Sequence, residues 1–158
     1  MSATVQYWLM KAEPDDVSID DLAARQGQRV AWYGVRNYQA RNFMRDQMRI
    51  GDLVWYYHSS CAEPGIAGLA QVCSPAYPDA TQFDASSPFF DPKSNPEAPR
   101  WLNVDVQWLE SWRLIPLTWL REQTALAQMR LLARGNRLSI LPVEAEHWEF
   151  IWQHRVLR

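Results

Sequence analysis

Six consecutive residues, Leu53-Val54-Trp55-Tyr56-Tyr57-His58, carry an apolar or aromatic side chain at nearly every position. A strand of this kind has no polar face to give to water, so it is buried on both sides, as in a closed or covered barrel. Other segments must therefore supply cover for two faces. With 158 residues the chain can bury such a core within one domain, spanning 1–158 with its core over about 5–152. Nine Trp, six Tyr and five Phe provide the bulk. Trp55, Trp108 and Trp148 are read as core, and Trp8, in an early strand, with them.

The remaining segments suit that demand. Residues 5–10 read as a strand that ends at Lys11-Ala12-Glu13-Pro14. Ser18 caps a short helix to about Arg25, with Asp20 and Asp21 in its first turn. Asn37 is placed to cap a second helix to about Ile50, which Gly51 ends. On it Ala40, Phe43, Met44, Gln47 and Met48 share one side, while Tyr38, Arg41, Asn42, Arg45 and Arg49 share the other. Gly65 to Cys73 is the next strand, and Gly68 within it marks a bend or a close backbone approach. Residues 74–100 hold six prolines, yet Tyr77, Phe83, Phe89 and Phe90 anchor them as an ordered connection. Residues 102–108 alternate apolar and polar, the clearest period-two strand. Thr118 to Leu132 suggests short helices outside the sheet, Leu138 to Leu141 a last strand, and Pro142 the start of a C-terminal helix. The sum is a mixed α/β (α+β) barrel of about five or six strands with helices around it. No GxGxxG or GxxxxGK[ST] loop is present, which excludes the common dinucleotide and phosphate-loop folds.

Chemistry concentrates in Trp32-Tyr33-Gly34-Val35-Arg36-Asn37-Tyr38-Gln39-Ala40-Arg41-Asn42. Aromatics can stack on a flat ring, amides can read its edges, and arginines can meet phosphate. No obvious nucleophile or general base lies among them, so the segment points to recognition. The formal net charge is −2, but it is unevenly spread: Arg25 to Arg49 holds six arginines against Asp46 alone, while Glu13 to Asp21 holds five acids. Such a zone suits a small local contact to phosphates rather than charge-driven coating of DNA.

Seven stretches together resemble the EVE domain family. They are Tyr7–Pro14, Trp32–Asn42, Tyr57-His58-Ser59, Glu63–Gly68, Tyr77-Pro78-Asp79, Val104-Asp105-Val106 and Arg137–Ile140, in order over about residues 5 to 152. The resemblance implies a PUA-like β-barrel related to the YTH readers of methylated adenine in RNA. It also implies a non-enzymatic pocket for a modified base of DNA or RNA, such as a modified cytosine, with no cofactor. On that reading Trp32, Tyr38 and Tyr57 are stacking candidates, and a stacked base is worth roughly 1–3 kcal/mol. Asn37 either reads a base edge or caps its helix; the resemblance tips it to the pocket. Lys11 and Glu13 either read the base or form a structural pair. His58 either reads an edge or satisfies a local backbone group, and Ser59 and Ser139 are further ligand candidates. Arg36, Arg41 and Arg45 are expected to contact phosphates, the alternative for Arg36 and Arg41 being salt bridges with the acidic 13–21 segment. Two positions depart from the family pattern: Ala12 stands where Ser is common, and Tyr33 where Asp is frequent. Both make the region less polar and favour an apolar modification such as a methyl group.

Two rival classes remain. An ASCH-like hydrolase acting on nucleosides or RNA would use Lys11, Glu13 and His58 as an acid–base set. A protein-interaction module would use the Pro-rich 74–100 connection. Metal binding is not expected, because His58, Cys61, Cys73, His147 and His154 lack paired spacing. No stretch approaches the length of a membrane span and no signal peptide opens the chain. The two cysteines read as reduced thiols of a cytoplasmic protein; nucleic acid is the expected partner, bound by a monomer.

Overall fold

The computed structural model describes residues 4–155. Eight strands run β1 (Tyr7–Ala12), β2 (Arg29–Ala31), β3 (Leu53–His58), β4 (Gly65–Val72), β5 (Tyr77–Pro78), β6 (Leu102–Asn103), β7 (Asp105–Pro116) and β8 (Ile140–Pro142). The helices are α1 (Pro14–Val17), α2 (Ile19–Ala24), α3 (Tyr38–Asn42), α4 (Leu117–Glu122) and α5 (Ala145–His154). Six strands form one curled sheet, a half-barrel of order β2-β7-β4-β3-β1-β8, and β5 pairs with β6 apart from it. Among the described residues only β1 and β3 pair in parallel, Tyr7 lying opposite Leu53 and Ala12 opposite His58. This is the mixed α/β, PUA-like architecture that the sequence implied.

β3 lies inside the sheet, between β4 and β1, where its lack of a polar face is satisfied. Its side chains alternate between two cores. Val54 and Tyr56 join Trp8, Met10, Phe43 and Met44 on one face. Trp55 and Tyr57 join Leu9, Leu120, Trp148 and Ile151 on the other. Trp55 stacks on Trp148 with ring centroids 3.9 Å apart, and Trp148 stacks in turn on Tyr7. Trp8 and Trp148 are buried as expected; Trp108 is only partly so, with its indole donating to Ser111 Oγ.

Several boundaries differ from expectation. β1 begins and ends two residues later, so Lys11 belongs to the strand rather than following it. The helix starting after Asn37 widens into a π-turn over Phe43–Gln47 and stops there instead of at Ile50. The cause is tertiary: the buried Asp52 carboxylate accepts Arg49 N–H, pulling the chain into a turn before β3. The wider turn also leaves Gln47 exposed, although Ala40, Phe43, Met44 and Met48 are buried. β7 runs on to Pro116, past the alternating stretch, because β4 offers it a partner along that length. β8 and α5 each begin later than read, and the short α1, β2 and β5 carried no readable signal.

Ser18 caps α2 as expected, through a reciprocal box: its Oγ accepts Asp21 N–H at 3.0 Å and its own N–H donates to Asp21 Oδ2 at 2.9 Å. α2 then lies directly on the sheet at Gly68, where a Cβ would meet Ile19 Cγ1 at 2.7 Å and Glu110 O at 2.3 Å. The close approach expected at Gly68 is thus the seat of α2. Among the described residues no helix is long and apolar enough to cross a membrane.

Candidate functional site

The end of β1 with α1, and β2 with the loop after it, line a cleft of about 320 Å³. That is the low end of volumes typical of small-molecule sites. Lys11, Ala12, Glu13, Asp16 and Val17 form one side; Val30, Ala31, Trp32, Tyr33 and Gly34 form the other. Tyr56 of β3 and Phe89 of the long connection complete the lining. Trp32 is half-buried and meets Tyr56 edge-on at 5.5 Å and 84°. Tyr56 is fully buried and its hydroxyl donates to the Val17 carbonyl, fixing the inner end of α1. Burial pushes that phenol well above its usual range, so it stays protonated.

The polar groups of the cleft are unequal. Lys11 is half-buried, and desolvation lowers its pKa. Its ammonium makes no ion pair or hydrogen bond among the described residues. Glu13 and Asp16 are exposed carboxylates on the same side. The cleft therefore offers one underused donor, two acceptors, an indole wall and an apolar lining of Ala12, Val17, Val30 and Ala31.

Of the residues singled out from sequence, Lys11, Glu13 and Trp32 are brought together here. His58, Ser59 and Ser139 stand behind them. His58 Nε2 accepts Ile19 N–H at 3.1 Å, which requires the neutral ring protonated at Nδ1, and so serves a local backbone group. Desolvation lowers its pKa, against the opposing charges of Asp20 and Asp21. Ser59 packs against the Ala12 carbonyl, and the Ser139 carbonyl accepts Lys11 N–H at 2.9 Å.

The others do not line the cleft. Tyr57 is a correction: strand alternation turns it to the opposite core, 3% exposed. Asn37 caps α3, its Oδ1 accepting Ala40 N–H at 3.0 Å. Tyr38 is exposed and stacks on Trp101 at 4.8 Å, with the Arg41 guanidinium over its ring. Arg41 also donates to the Arg100 carbonyl and to Asn42, and Arg45 pairs with its neighbour Asp46. Arg36 is a second correction, because all of its N–H donors end on oxygens within the fold. Its ion-pair partner is Asp79, not the 13–21 segment. Burial alone would raise the Asp79 pKa, but hydrogen bonds from Gly34, Thr81 and Arg36 hold it below the ordinary carboxylate value.

Sequence reasoning missed Tyr56, Asp16, Val17 and Phe89. Tyr56 and Tyr57 were indistinguishable because both faces of β3 are apolar. Phe89 lies more than 50 positions from Trp32, and no local pattern reports a contact of that range.

Comparison with known proteins identifies the family and the shared fold. The EVE domain model matches residues 6–154. Thymocyte nuclear protein 1 of Homo sapiens is 44% identical, over 92% of this chain and 72% of its own length. A crystal structure of a Pseudomonas syringae protein superposes with a TM-score of 0.89 at 46% identity, covering 94% of this chain and 99% of that one. Human THYN1 protein, solved in complex with 5-methylcytosine-containing DNA, gives 0.87 at 43% identity, over 95% and 97% of the two chains. An ASCH protein from Zymomonas mobilis, at 10% identity and a TM-score of 0.54, shares the fold alone. The relatives' name also corrects the cytoplasmic expectation, since they are designated nuclear. Reduced cysteines suit nucleus and cytosol equally, so thiol usage could not separate the two. With a family model matching residues 6–154, and a relative 44% identical over 92% of the chain, the chain belongs to the EVE domain family.

Proposed function

We propose that the cleft receives one modified base of a nucleic acid, a methylated cytosine of DNA, and binds it without chemical turnover. The observation that carries this reading is the unpartnered, half-buried ammonium of Lys11 sharing one cleft with the Trp32 indole and the Glu13 carboxylate. A cytosine presents an exocyclic amine, which donates, beside ring and carbonyl acceptors. Glu13 suits the amine and Lys11 the carbonyl, while Trp32 supplies a stacking face. The alanine and valine lining gives a methyl group apolar company rather than a buried polar atom. A base inside a duplex cannot reach such a cleft, so the ligand is a flipped or single-stranded nucleotide. The lining contains no Ser, Cys or His, and the Tyr56 hydroxyl is tied to the Val17 carbonyl, which favours binding over catalysis. The human relative's complex with 5-methylcytosine-containing DNA supports the same reading.

The test is a panel of DNA and RNA oligonucleotides, single- and double-stranded, each with cytosine or 5-methylcytosine at one position. Wild-type protein is expected to prefer the methylated DNA, and Trp32→Ala to lose that preference. Loss of one stacking wall corresponds to about tenfold weaker binding or more. Because Trp32 also packs on Tyr56, a stability loss of about 1 kcal/mol should accompany it. Undiminished discrimination by the variant would remove Trp32 from the site and the reading with it.

A further inference from the structure

Arg36 sits two residues beyond Gly34 at the cleft's rim, and it points into the protein. Its Nε and Nη2 both donate to the Phe89 carbonyl, at 3.0 and 2.8 Å. Nη1 donates to the Val35 carbonyl at 2.9 Å and to Asp79 Oδ2 at 3.0 Å. Nη2 also reaches Thr81 Oγ1 at 3.0 Å. An arginine has five N–H donors, and here none is left for a ligand. The Asp79 side chain, 1% exposed, is equally committed. Its Oδ2 accepts Gly34 N–H at 2.7 Å, and its Oδ1 accepts both the backbone N–H and the hydroxyl of Thr81. One ion pair with a buried carboxylate thus ties the cleft's rim to a connection more than 40 residues away.

What this holds in place is the Phe89 ring. It rests on the bare Cα of Gly34, where a Cβ would come within 2.9–3.1 Å of three ring carbons. It meets Tyr33 edge-on at 5.8 Å, and the Arg36 guanidinium lies 5.7 Å from its centroid. Among the described residues, Phe89 is the one member of the long connection that lines the cleft. Turning Arg36 outward to a phosphate would release the Phe89 carbonyl and strand a buried carboxylate, a costly exchange.

We propose that the Arg36–Asp79 pair is a positioning device for the cleft: it pins the backbone at Phe89, so that this ring forms a fixed wall that sets how tightly the base is gripped. The proposal rests on the reading of the cleft as a base site. Geometry explains the choice of arginine. A guanidinium edge can clasp one carbonyl with two parallel donors while its far side meets a carboxylate. Lysine would keep the charge opposite Asp79 but lose the clasp.

The experiment is a double-mutant cycle with Arg36→Lys and Phe89→Ala, read as affinity for 5-methylcytosine DNA against the unmodified oligonucleotide. Arg36→Lys is expected to weaken binding about tenfold, Phe89→Ala at least as much, and the double variant no further than Phe89→Ala alone. Multiplying effects would overturn the proposal, since Arg36 would then act on the ligand by a route of its own. The second readout is fluorine NMR of protein carrying 4-fluorophenylalanine, with the Phe89 signal identified by its loss in Phe89→Leu. Arg36→Lys should shift or broaden that signal in the free protein; an unmoved signal with a lowered melting temperature means a purely structural pair and also overturns it. Should Arg36→Lys fail to fold, Thr81→Val removes one strand of the same network and is expected to act in the same direction, more weakly. If wild-type protein shows no preference for the methylated oligonucleotide, the base-site reading falls, and the fluorine signal still decides whether Arg36 holds Phe89.

Discussion

Adjacent residues in this protein can have opposite assignments, and Tyr56 and Tyr57 show why. Both are buried aromatic residues of one strand, yet the strand's two-residue period sends Tyr56 to the cleft and Tyr57 to the far core. Their hydroxyls differ as well: that of Tyr56 is bonded to the Val17 carbonyl. Tyr56→Phe leaves that carbonyl buried without its donor and should cost about 1–3 kcal/mol of stability. Tyr57→Phe removes a hydroxyl with no such duty and should change stability by about 0.5 kcal/mol or less. Urea unfolding of both variants checks the contrast. Equal losses would mean that the Tyr56–Val17 bond contributes little. Lys11 makes the complementary point, because residue type and neighbours marked it from sequence, while its lack of a partner is visible only in three dimensions.

At the level of elements, the cleft's acidic side depends on how α1 and α2 are moored to β3. The moorings are two: Tyr56 holds the Val17 carbonyl, and His58 Nε2 accepts the Ile19 N–H that opens α2. Protonating His58 turns an acceptor into a donor facing another donor, and burial already disfavours the charged ring. The sign follows from proton counting. The folded pKa lies below the ordinary 6.5, so between the two values the unfolded chain binds more protons and stability rises with pH. His58 therefore contributes its stability fully above about pH 6.5, and the contribution is lost as pH falls through the folded value. The groups facing the ring are Asp20 and Asp21, which oppose this without reversing it. His58→Gln keeps an acceptor that does not titrate, so chemical unfolding from pH 7.5 down to 5 should show a shallower decline than wild type. Parallel curves would remove His58 as the cause. Much at this scale was legible: β3 and the Ser18 cap follow from local residue chemistry, and Gly68 signalled a bend or a close approach without naming α2 as what approaches. The early end of the helix after Asn37 was not, because Asp52 intervenes from outside it.

For the whole molecule, the arginines decide what kind of nucleic-acid contact is available. Arg29, Arg36 and Arg45 are paired with Asp105, Asp79 and Asp46, and Arg41 and Arg49 donate to backbone carbonyls. Arg36 and Arg41 are thus spent within the fold, while Arg25, Arg29, Arg45 and Arg49 are exposed but lie outside the cleft's lining, so affinity is expected to come mainly from the captured base. With only one or two phosphates neutralised, binding should weaken by no more than about tenfold between 50 and 200 mM salt. Fluorescence anisotropy over that range measures it, and a drop of several hundredfold would restore a broad phosphate footprint. The sequence by itself determined the class of fold, the double-sided burial of β3, the Ser18 cap and three cleft residues, because hydrophobic period, capping chemistry and residue type act over a few positions. The tertiary structure alone decided which face each β3 side chain takes, that the Arg36 donors end on oxygens within the fold, and that Phe89 lines the cleft. Those outcomes depend on partners 40 or more residues distant, and a charge or a ring carries no mark in the sequence of the partner that will neutralise or cover it.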